Sequence, residues 1–370
     1  MSTGAELDLH AGNPDPELIP AVEAAKLPWL VEAWRSLAAS IPSSSYFQTP
    51  DWALTWWEVQ GRPPADIAVW RNPSGAVEGV GFWAHVRMHL HSRVPVRIPA
   101  ATIMGAGAPH AADHCGWPVL PHRLADVRRW IGGHDQLGTV VFQNLDPDTG
   151  LPLLPPGCRR VAVSHCPRLT IPHDLADLPV SSKFGNRLRH YCRRLEQEGV
   201  TFSWTGPGQM SPDVVDLLFS LHENRSRARE GASNFHRDLA DFHRKLIICG
   251  RPDGGPASVT AFHDGSPVGI LYGFLWGDTF SYYQGGWETA WSDLRLGHVL
   301  FREALAFLGG TGAKVFDFLR GAEGYKYQWG AVDRVDETWV LPRGIPGWAL
   351  IQKYRAVRAL GNPSDTAWLT

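Results

Sequence analysis

The chain has 370 residues, which is more than one hydrophobic core usually spans, so two packed units are expected. Hydrophobic residues make up 44% of the sequence and charged residues 19%, a composition that excludes an intrinsically disordered chain. The formal net charge of −2 excludes a global electrostatic field that would draw the protein to nucleic acid or to a membrane.

The cysteine usage and the N-terminus favour a cytoplasmic protein. The five cysteines are scattered without a CxxC pair, so the sequence predicts neither a disulfide framework nor a zinc site. The first residues form neither a basic nor an apolar signal segment, and no apolar run approaches the about 20 residues of a membrane span. We therefore expect a reducing compartment, no membrane partner and no metal.

In the first half of the chain, the hydrophobic patterns predict helices near residues 27–39, over 51–60 and near 122–132. Strands are predicted over 65–71, 76–88 and 137–145, with a loop rich in glycine, alanine and histidine at 104–118. The prolines of residues 151–157 cannot lie in a central strand, so this segment is the predicted linker.

The second half repeats this plan. Helices are predicted over 183–199, from Ser211 to about residue 229, over 237–249 and over 296–310. Strands are predicted over 257–276, where a DGS turn joins two of them, and over 279–286 and 313–321. The hairpins at 65–86 and 257–276 match in pattern, which indicates a duplicated α/β unit.

The start of the helix at 296 is a candidate anion site. The first N–H groups of a helix are free and its dipole is positive there, Gly297 allows close approach, and Arg295 adds charge. Residues Arg295, Leu296, Gly297 and His298 are therefore predicted to bind the phosphates of a cofactor. An ordinary strand-to-helix connection with a packing glycine explains these residues equally well.

The segment VFDFLRGAEGYKYQWG (315–330) places polar groups after a buried strand, where open α/β sheets bind ligands. Asp317 lies between two phenylalanines, and Lys326 or Arg320 is its expected cation partner. A buried ion pair that only holds the loop is the alternative. The density of ionisable groups favours a site, formed by Asp317, Arg320, Glu323, Tyr325 and Lys326.

The order of strand, glycine-containing helix and this 315–330 segment resembles the GNAT acetyltransferases of the CelD-like (cellulose-biosynthesis-type) family. These proteins have a double-GNAT architecture related to the Fem-type peptidoglycan aminoacyltransferases. The resemblance spans roughly residues 40–345 and also includes the segments 45–61, 183–199, 218–228 and 241–247. The acyl-CoA loop of GNAT enzymes usually reads R/Q-x-x-G-x-G/A, and of this pattern only Arg295 and Gly297 remain.

The resemblance implies that an amine attacks a thioester or an aminoacyl ester, which requires a proton acceptor and donors that polarise the acyl carbonyl. It implies Asp317 or Glu323 as the acceptor, Lys326 at the oxyanion, and Tyr325 or Tyr283 at the leaving group. In related transferases an aspartate of the first domain faces the cleft, so Asp113 is a second candidate base. His110, His114 and Cys115 beside it would be the ligands of a less favoured metal site.

Further residues are candidates for contacts to substrate. Trp276 and Trp287 flank glycine-rich strand ends where a cleft could lie, although most of the 17 tryptophans are expected in the core. The helix at 183–194 carries Arg187 among six basic residues, and Arg225, Arg227 and Arg229 follow on the next helix. A solvated face is the commoner explanation, but CoA phosphates or a tRNA acceptor stem would also suit this charge.

Together these features predict an α/β (α+β) protein of two tandem GNAT-like domains with mixed, mostly antiparallel sheets flanked by helices. The predicted divisions are an N-terminal extension with the first helix (1–40), a first domain (41–155), a second domain with the donor site (156–345) and a tail (346–370). The leading function is transfer of an acyl group from acyl-CoA to an amine of a small metabolite or saccharide. The alternatives are a Fem-like transferase that uses aminoacyl-tRNA and a binding protein without catalysis.

Overall fold

The computed structural model describes residues 13–91, 94–107, 112–227 and 237–359. In chain order its strands are β1 (Glu17–Pro20), β2 (Ala65–Arg71), β3 (Val77–His91), β4 (Val94–Ile103), β5 (Val140–Leu145), β6 (Arg159–Thr170), β7 (Thr201–Thr205), β8 (Gly254–His263), β9 (Ser266–Trp276), β10 (Thr279–Trp287), β11 (Val315–Asp317) and β12 (Val332–Leu341). Its α-helices are α1 (Ala21–Ala24), α2 (Pro28–Ser40), α3 (Pro50–Val59), α4 (Leu124–Gly133), α5 (Ser182–Gln197), α6 (Val214–Arg227), α7 (Ala240–Cys249), α8 (Leu296–Gly309), α9 (Gly324–Tyr327) and α10 (Gly344–Ala359).

The chain divides into two compact units. The first contains the residues up to Ala162 and those from Glu337 onward, and the second contains Val163–Asp336. The sequence interpretation instead divided the chain in the 151–157 segment and gave residues up to 345 to the second domain. The C-terminal residues belong to the first unit because Glu337–Leu341 of β12 pair with β5 and because α10 packs on β3 and β4.

In the first unit the strand order is β1-β2-β3-β4-β5-β12. Neighbouring strands are antiparallel except β4 and β5, which pair in parallel only at Ala101 with Val140 and at Thr102 with Val141. Leu350, Ile351 and Tyr354 of α10 join the core formed with β3 and β4. Helix α10 is therefore part of the first core and not a separate tail.

In the second unit the strand order is β7-β8-β9-β10-β11-β6. Its strands are again antiparallel except for one parallel pair, β10 with β11. In both units, the first four strands of this order pair antiparallel, the fifth pairs in parallel with the fourth, and the sixth pairs antiparallel with the fifth. The predicted fold class of two tandem units with mixed, mostly antiparallel sheets is confirmed.

Helices cover both faces of the sheet in the second unit. Residues of α5 and α8 share a core with β8, β9 and β10, in which Leu271 points toward α8. The next residue, Tyr272, points to the other face, where its ring lies 5.5 Å from that of His243 on α7. Because side chains alternate along a strand, α8 and α7 lie on opposite faces.

Several elements differ from the sequence interpretation. Strands β4 and β6 were missed because both contain proline, which usually argues against a strand in the middle of a sheet. Strand β12 was missed because charged residues interrupt its pattern, and β11 ends at Asp317 instead of residue 321. The strand stops early because Leu319 adopts left-handed backbone with a φ of 55°, which breaks the extended conformation.

Candidate acyl-transfer site

The start of α8 has main-chain N–H groups without an acceptor in the described residues, and two arginines lie nearby. Arg295, the residue before the helix, is left-handed with a φ of 52°, and no side chain caps the helix. Within the described part of the chain, the N–H groups of Leu296 and Gly297 donate to no acceptor. The charges of Arg295 and of exposed Arg187 on α5 both lower the pKa of His298, so positive charge lies near these N–H groups. This arrangement has the features of an anion-binding helix start.

The ring of Trp287, at the end of β10, lies against Gly297. A Cβ atom at this position would come within 2.5 Å of the indole ring. The glycine is therefore required by a tryptophan contact, in agreement with the alternative of a packing glycine that the sequence also allowed. In the described residues, the N–H groups at the start of the helix have no acceptor, but the ring of Trp287 covers the side of Gly297 where a Cβ would be.

We expect Gly297→Ala to lower the free energy of unfolding by about 1–3 kcal/mol, because the added methyl group must displace the indole. Gly309→Ala is the matched control, since a Cβ at the other end of α8 meets nothing within 4 Å. Urea denaturation of the two variants measures the difference. Combining Gly297→Ala with Trp287→Ala should restore part of the loss, and equal stability of the two glycine variants would contradict the contact.

His298 is held in its neutral form. Burial, together with the charges of Arg295 and Arg187, lowers the pKa of His298 to about 4. Its ring contacts those of Phe184 (5.3 Å) and Trp329 (6.2 Å), which also contact each other at 5.2 Å. A neutral imidazole at this position can accept or donate a hydrogen bond to a ligand without adding charge.

This lowered pKa predicts a pH dependence of stability. The pKa of His298 falls from 6.5 to about 4 on folding, so the unfolded chain binds the proton more tightly. The stability that the neutral ring contributes is complete above the unfolded pKa and is lost as the pH falls toward the folded pKa. Between neutral pH and about pH 5, wild type should therefore lose more stability than His298→Phe in urea denaturation. Equal losses in the two proteins would argue against a depressed pKa.

Asp317 is fully buried at the end of β11, and its partners come from two places. The side chain of Arg168 on β6, the cross-strand neighbour of Asp317, donates to Oδ2. The N–H of Leu319 donates to Oδ1 at 2.8 Å. The sequence interpretation gave Lys326 or Arg320 as the cation partner of Asp317, and the structure shows Arg168 as a partner that this interpretation did not include.

Lys326 binds the loop and not Asp317. Its Nζ donates to the main-chain oxygens of Leu319 (3.2 Å), Arg320 (2.9 Å) and Gly321 (3.0 Å), and it pairs with Glu323 at 2.9 Å. The predicted ion pair of Lys326 with a carboxylate is therefore present, but the carboxylate is that of Glu323. An ammonium group has three hydrogens, so these four acceptors occupy all its donors.

The same loop depends on a glycine at position 321. Gly321 has a φ of 117°, and a Cβ there would lie 2.4 Å from the carboxylate of Glu323. Its N–H donates to the main-chain oxygen of His165 on β6, and that of Phe318 donates to Pro167. The loop is thus built from hydrogen bonds to β6, to Asp317 and to Lys326. Glu323 projects outward, with 57% of its side chain exposed.

Aromatic contacts bring this loop to the first turns of α8. The ring of Tyr325 stacks on Phe301 at 5.8 Å, and Trp329 lies beside His298. Within the described residues, Nδ1 of His298 and Nε1 of Trp329 are buried without a hydrogen-bond partner. Buried polar atoms of this kind are usually satisfied, so a water or a ligand group is expected there.

Strand β10 stops pairing with β11 after Ser281, opposite Asp317. The two strands pair in parallel only from Thr279 to Ser281, opposite Val315 to Asp317. Between Tyr282 and Gln284 the register with β9 shifts, so Tyr283 is the extra residue of a β-bulge. Bulges of this type occur next to active sites because they redirect side chains. The ring of Tyr283 lies 5.3 Å from that of His243, on the α7 face.

Other predicted site residues lie elsewhere. Trp276 is buried at the turn end of the β9–β10 hairpin, whereas Trp287 is at the other end, opposite Gly269. About 23 Å of strand separates them, so they do not line one pocket. Sequence reasoning had grouped them because both flank glycines, a signal that carries no information about distance.

The residues predicted around Asp113 belong to the first unit. Asp113 is buried, and the main-chain oxygen of His114 accepts from the Gln48 amide at 2.9 Å. The thiol of Cys115 lies 3.7 Å from the oxygen of Ala112. His110 of the alternative metal site, like Arg229 of the basic stretch, is outside the described residues.

The comparisons with known proteins agree with this geometry. Residues 182–327 match the acetyltransferase (GNAT) domain family, and this stretch lies within the second unit and contains α8 and the loop. No curated protein sequence matches the chain. The chain therefore contains a GNAT acetyltransferase domain, which supports an acyltransferase activity.

Solved structures share the fold over most of the chain. The crystal structure of FemX has a TM-score of 0.61 at 12% identity and covers 87% of this chain and 98% of its own. The structure of L-PGS from Bacillus licheniformis has a TM-score of 0.55 at 12% identity and covers 88% and 96%. At this identity the likeness establishes the fold. Of the helices in the described ranges, none combines the length and apolar character needed to span a bilayer.

Proposed function

We propose that the protein transfers an acyl group from acyl-CoA to an amine of a small metabolite or saccharide. The observation that carries the proposal is the start of α8, where the unpaired N–H groups of Leu296 and Gly297 lie beside Arg187 and Arg295. A donor with a pyrophosphate would bind there, as anions bind at helix N-termini. Arg320, on the loop that reaches α8, is the further predicted phosphate contact.

The acyl carbonyl of this donor would lie where β10 opens from β11. An attacking amine needs a proton acceptor, and Glu323 is the loop carboxylate that solvent reaches, whereas Asp317 is fully buried. We assign Glu323 as the acceptor, with Tyr325 or Tyr283 protonating the leaving group. Asp317 and Lys326 would then act by holding the loop, and Asp113 remains a predicted second base. The resemblance of the 315–330 segment to CelD-like proteins supports a saccharide or metabolite amine as acceptor.

A second candidate function is a Fem-like transfer from aminoacyl-tRNA, and the observation that favours it is the outer face of α5. Lys183, Arg187, His190 and Arg194 recur at helical spacing on this face and are all exposed. The stripe is about 16 Å long, which suits a polyanion better than a single pyrophosphate. The fold likeness to FemX is compatible with this alternative.

Thermal unfolding with acetyl-CoA, a long-chain acyl-CoA or charged tRNA tests the two candidates. A ligand at a hundred times its Kd stabilises the folded state by about 2.7 kcal/mol, which is several degrees in Tm. If acyl-CoA is the donor, Arg295→Gln should abolish the shift and Arg194→Gln should leave it unchanged. If tRNA is the donor, both substitutions should weaken binding and salt should weaken it steeply. No shift with any CoA thioester would reject the first candidate.

A further inference from the structure

A cleft in the first unit shares no residue with the candidate acyl-transfer site. It has a volume of about 650 Å³ and is lined by Arg128, Arg129, Gly132, Leu154, Pro155 and Pro156. Arg129 pairs with Asp126 at 3.1 Å, whereas the exposed guanidinium of Arg128 meets no carboxylate within the described ranges. The cleft is thus an open groove with a cationic wall and an apolar floor.

The start of α10 lies at the rim of this cleft. The side chain of Arg343, the residue before the helix, donates to the main-chain oxygens of Ile131 (3.1 Å) and Gly132 (2.9 Å) at the end of α4. Two large apolar side chains follow on one face of α10. Ile345 is 86% exposed and Trp348 is 49% exposed, although neighbouring Leu350 and Ile351 are fully buried.

Three chain segments that contribute residues to this cleft or to α10 contain no acidic residue. Residues 127–134, 149–164 and 338–359 include neither Asp nor Glu, and their exposed cations without a carboxylate partner in the described residues are Arg128, Arg159 and Arg355. Three flanking acids, Asp126, Asp135 and Glu337, pair with Arg129, Arg343 and Arg160. A protein of net charge −2 therefore presents one face that is locally cationic and carries protruding apolar groups.

We propose that this face of the first unit docks on an anionic membrane surface, with Ile345 and Trp348 entering the interfacial layer and Arg128 binding lipid phosphate. Exposed aliphatic and indole side chains are stabilised when they enter the bilayer interface, whereas a nucleic-acid backbone offers them no such stabilisation. Cations beside them add attraction to anionic headgroups. The sequence predicted no membrane partner because no segment could span a bilayer, and peripheral docking needs no span.

Co-sedimentation of the full chain with vesicles tests this proposal. Wild type should bind vesicles of equimolar phosphatidylcholine and phosphatidylglycerol and bind pure phosphatidylcholine weakly. Ile345→Ser with Trp348→Ser should lower the partition coefficient about tenfold or more. Arg128→Gln should lower it about fivefold, and the effect should vanish at high salt.

Matched controls use residues outside this face. Ile248→Ser removes an equally exposed apolar side chain, 70% exposed on α7, and Lys26→Gln removes an exposed cation of the first unit. Both should bind vesicles like wild type. Absent wild-type binding, equal binding to both vesicle types, or equal losses in the controls would each overturn the proposal. Light scattering provides a further test. A wild-type dimer that Ile345→Ser with Trp348→Ser converts to monomers, with vesicle binding unchanged, would also overturn the proposal.

Discussion

Lys326→Met is expected to lower the free energy of unfolding by about 3 kcal/mol. The ammonium group donates to three main-chain oxygens of the 319–321 turn, and only 3% of the side chain is exposed. Methionine fills a similar volume and offers no donor. Each carbonyl left without a partner costs about 1–3 kcal/mol, which the removal of a desolvated charge offsets in part. Chemical denaturation of both proteins measures the change.

Lys314→Met is the control for this variant. Lys314 also pairs with a carboxylate, that of Asp278 at 3.4 Å, but 75% of its side chain is exposed. Its removal should change stability by less than about 1 kcal/mol, as for other surface ion pairs. A loss of stability in Lys314→Met as large as that in Lys326→Met would contradict the conclusion that Lys326 stabilises the 319–321 turn.

The same variant separates the two roles considered for Lys326. A lysine that holds the loop predicts a lowered Tm, with turnover per folded molecule falling only as far as the loop shifts. A lysine that stabilises an oxyanion predicts a loss of turnover of about 10²–10⁴ in a protein of unchanged Tm. Measuring Tm and turnover together decides between them.

Local patterns in the sequence were sufficient for several elements of both units. The apolar spacing of α8 and the two hairpins at 65–86 and 254–276 were predicted within a few residues, because each element carries its own periodicity. The match between these hairpins also indicated the duplication. The helix start at Arg295 was found because a strand, a glycine and a helix follow one another within the chain.

Other elements carry no local signal strong enough to be recognised. In β4, Pro95 and Pro99 interrupt the pattern of a strand that nevertheless pairs with β3 over most of its length. The residues of α10 alternate between buried and exposed apolar side chains, so periodicity did not distinguish a helix from a tail. Only packing on β3 and β4 shows which of those side chains belong to the core.

The electrostatic partners of the site depended on distant residues. Arg168 and Asp317 are neighbours because β6 and β11 pair, although 149 positions separate them in the chain. Lys326 was the nearer cation in sequence, and the left-handed backbone at Leu319 turns the carbonyls of 319–321 toward it instead. A sequence can identify the charges that need partners, but strand pairing decides which partner each one has.

Arg168→Met is expected to cost about 3–5 kcal/mol of unfolding free energy, because it leaves the carboxylate of Asp317 buried without this cation. The control is on the same strand. Arg160 of β6 pairs with Glu337 at 2.7 Å, but 55% of its side chain is exposed, so Arg160→Met should cost less than about 1 kcal/mol.

The charge argument can be separated from packing by a double variant. Asp317→Asn keeps an oxygen that can accept from the N–H of Leu319 but removes the negative charge. Arg168→Met combined with Asp317→Asn should therefore be more stable than Arg168→Met alone, since the buried group that has lost this cation is then neutral. If the double variant were instead as unstable as the sum of the two single variants, Arg168 would contribute through packing, and Asp317 would need a different partner to explain its burial.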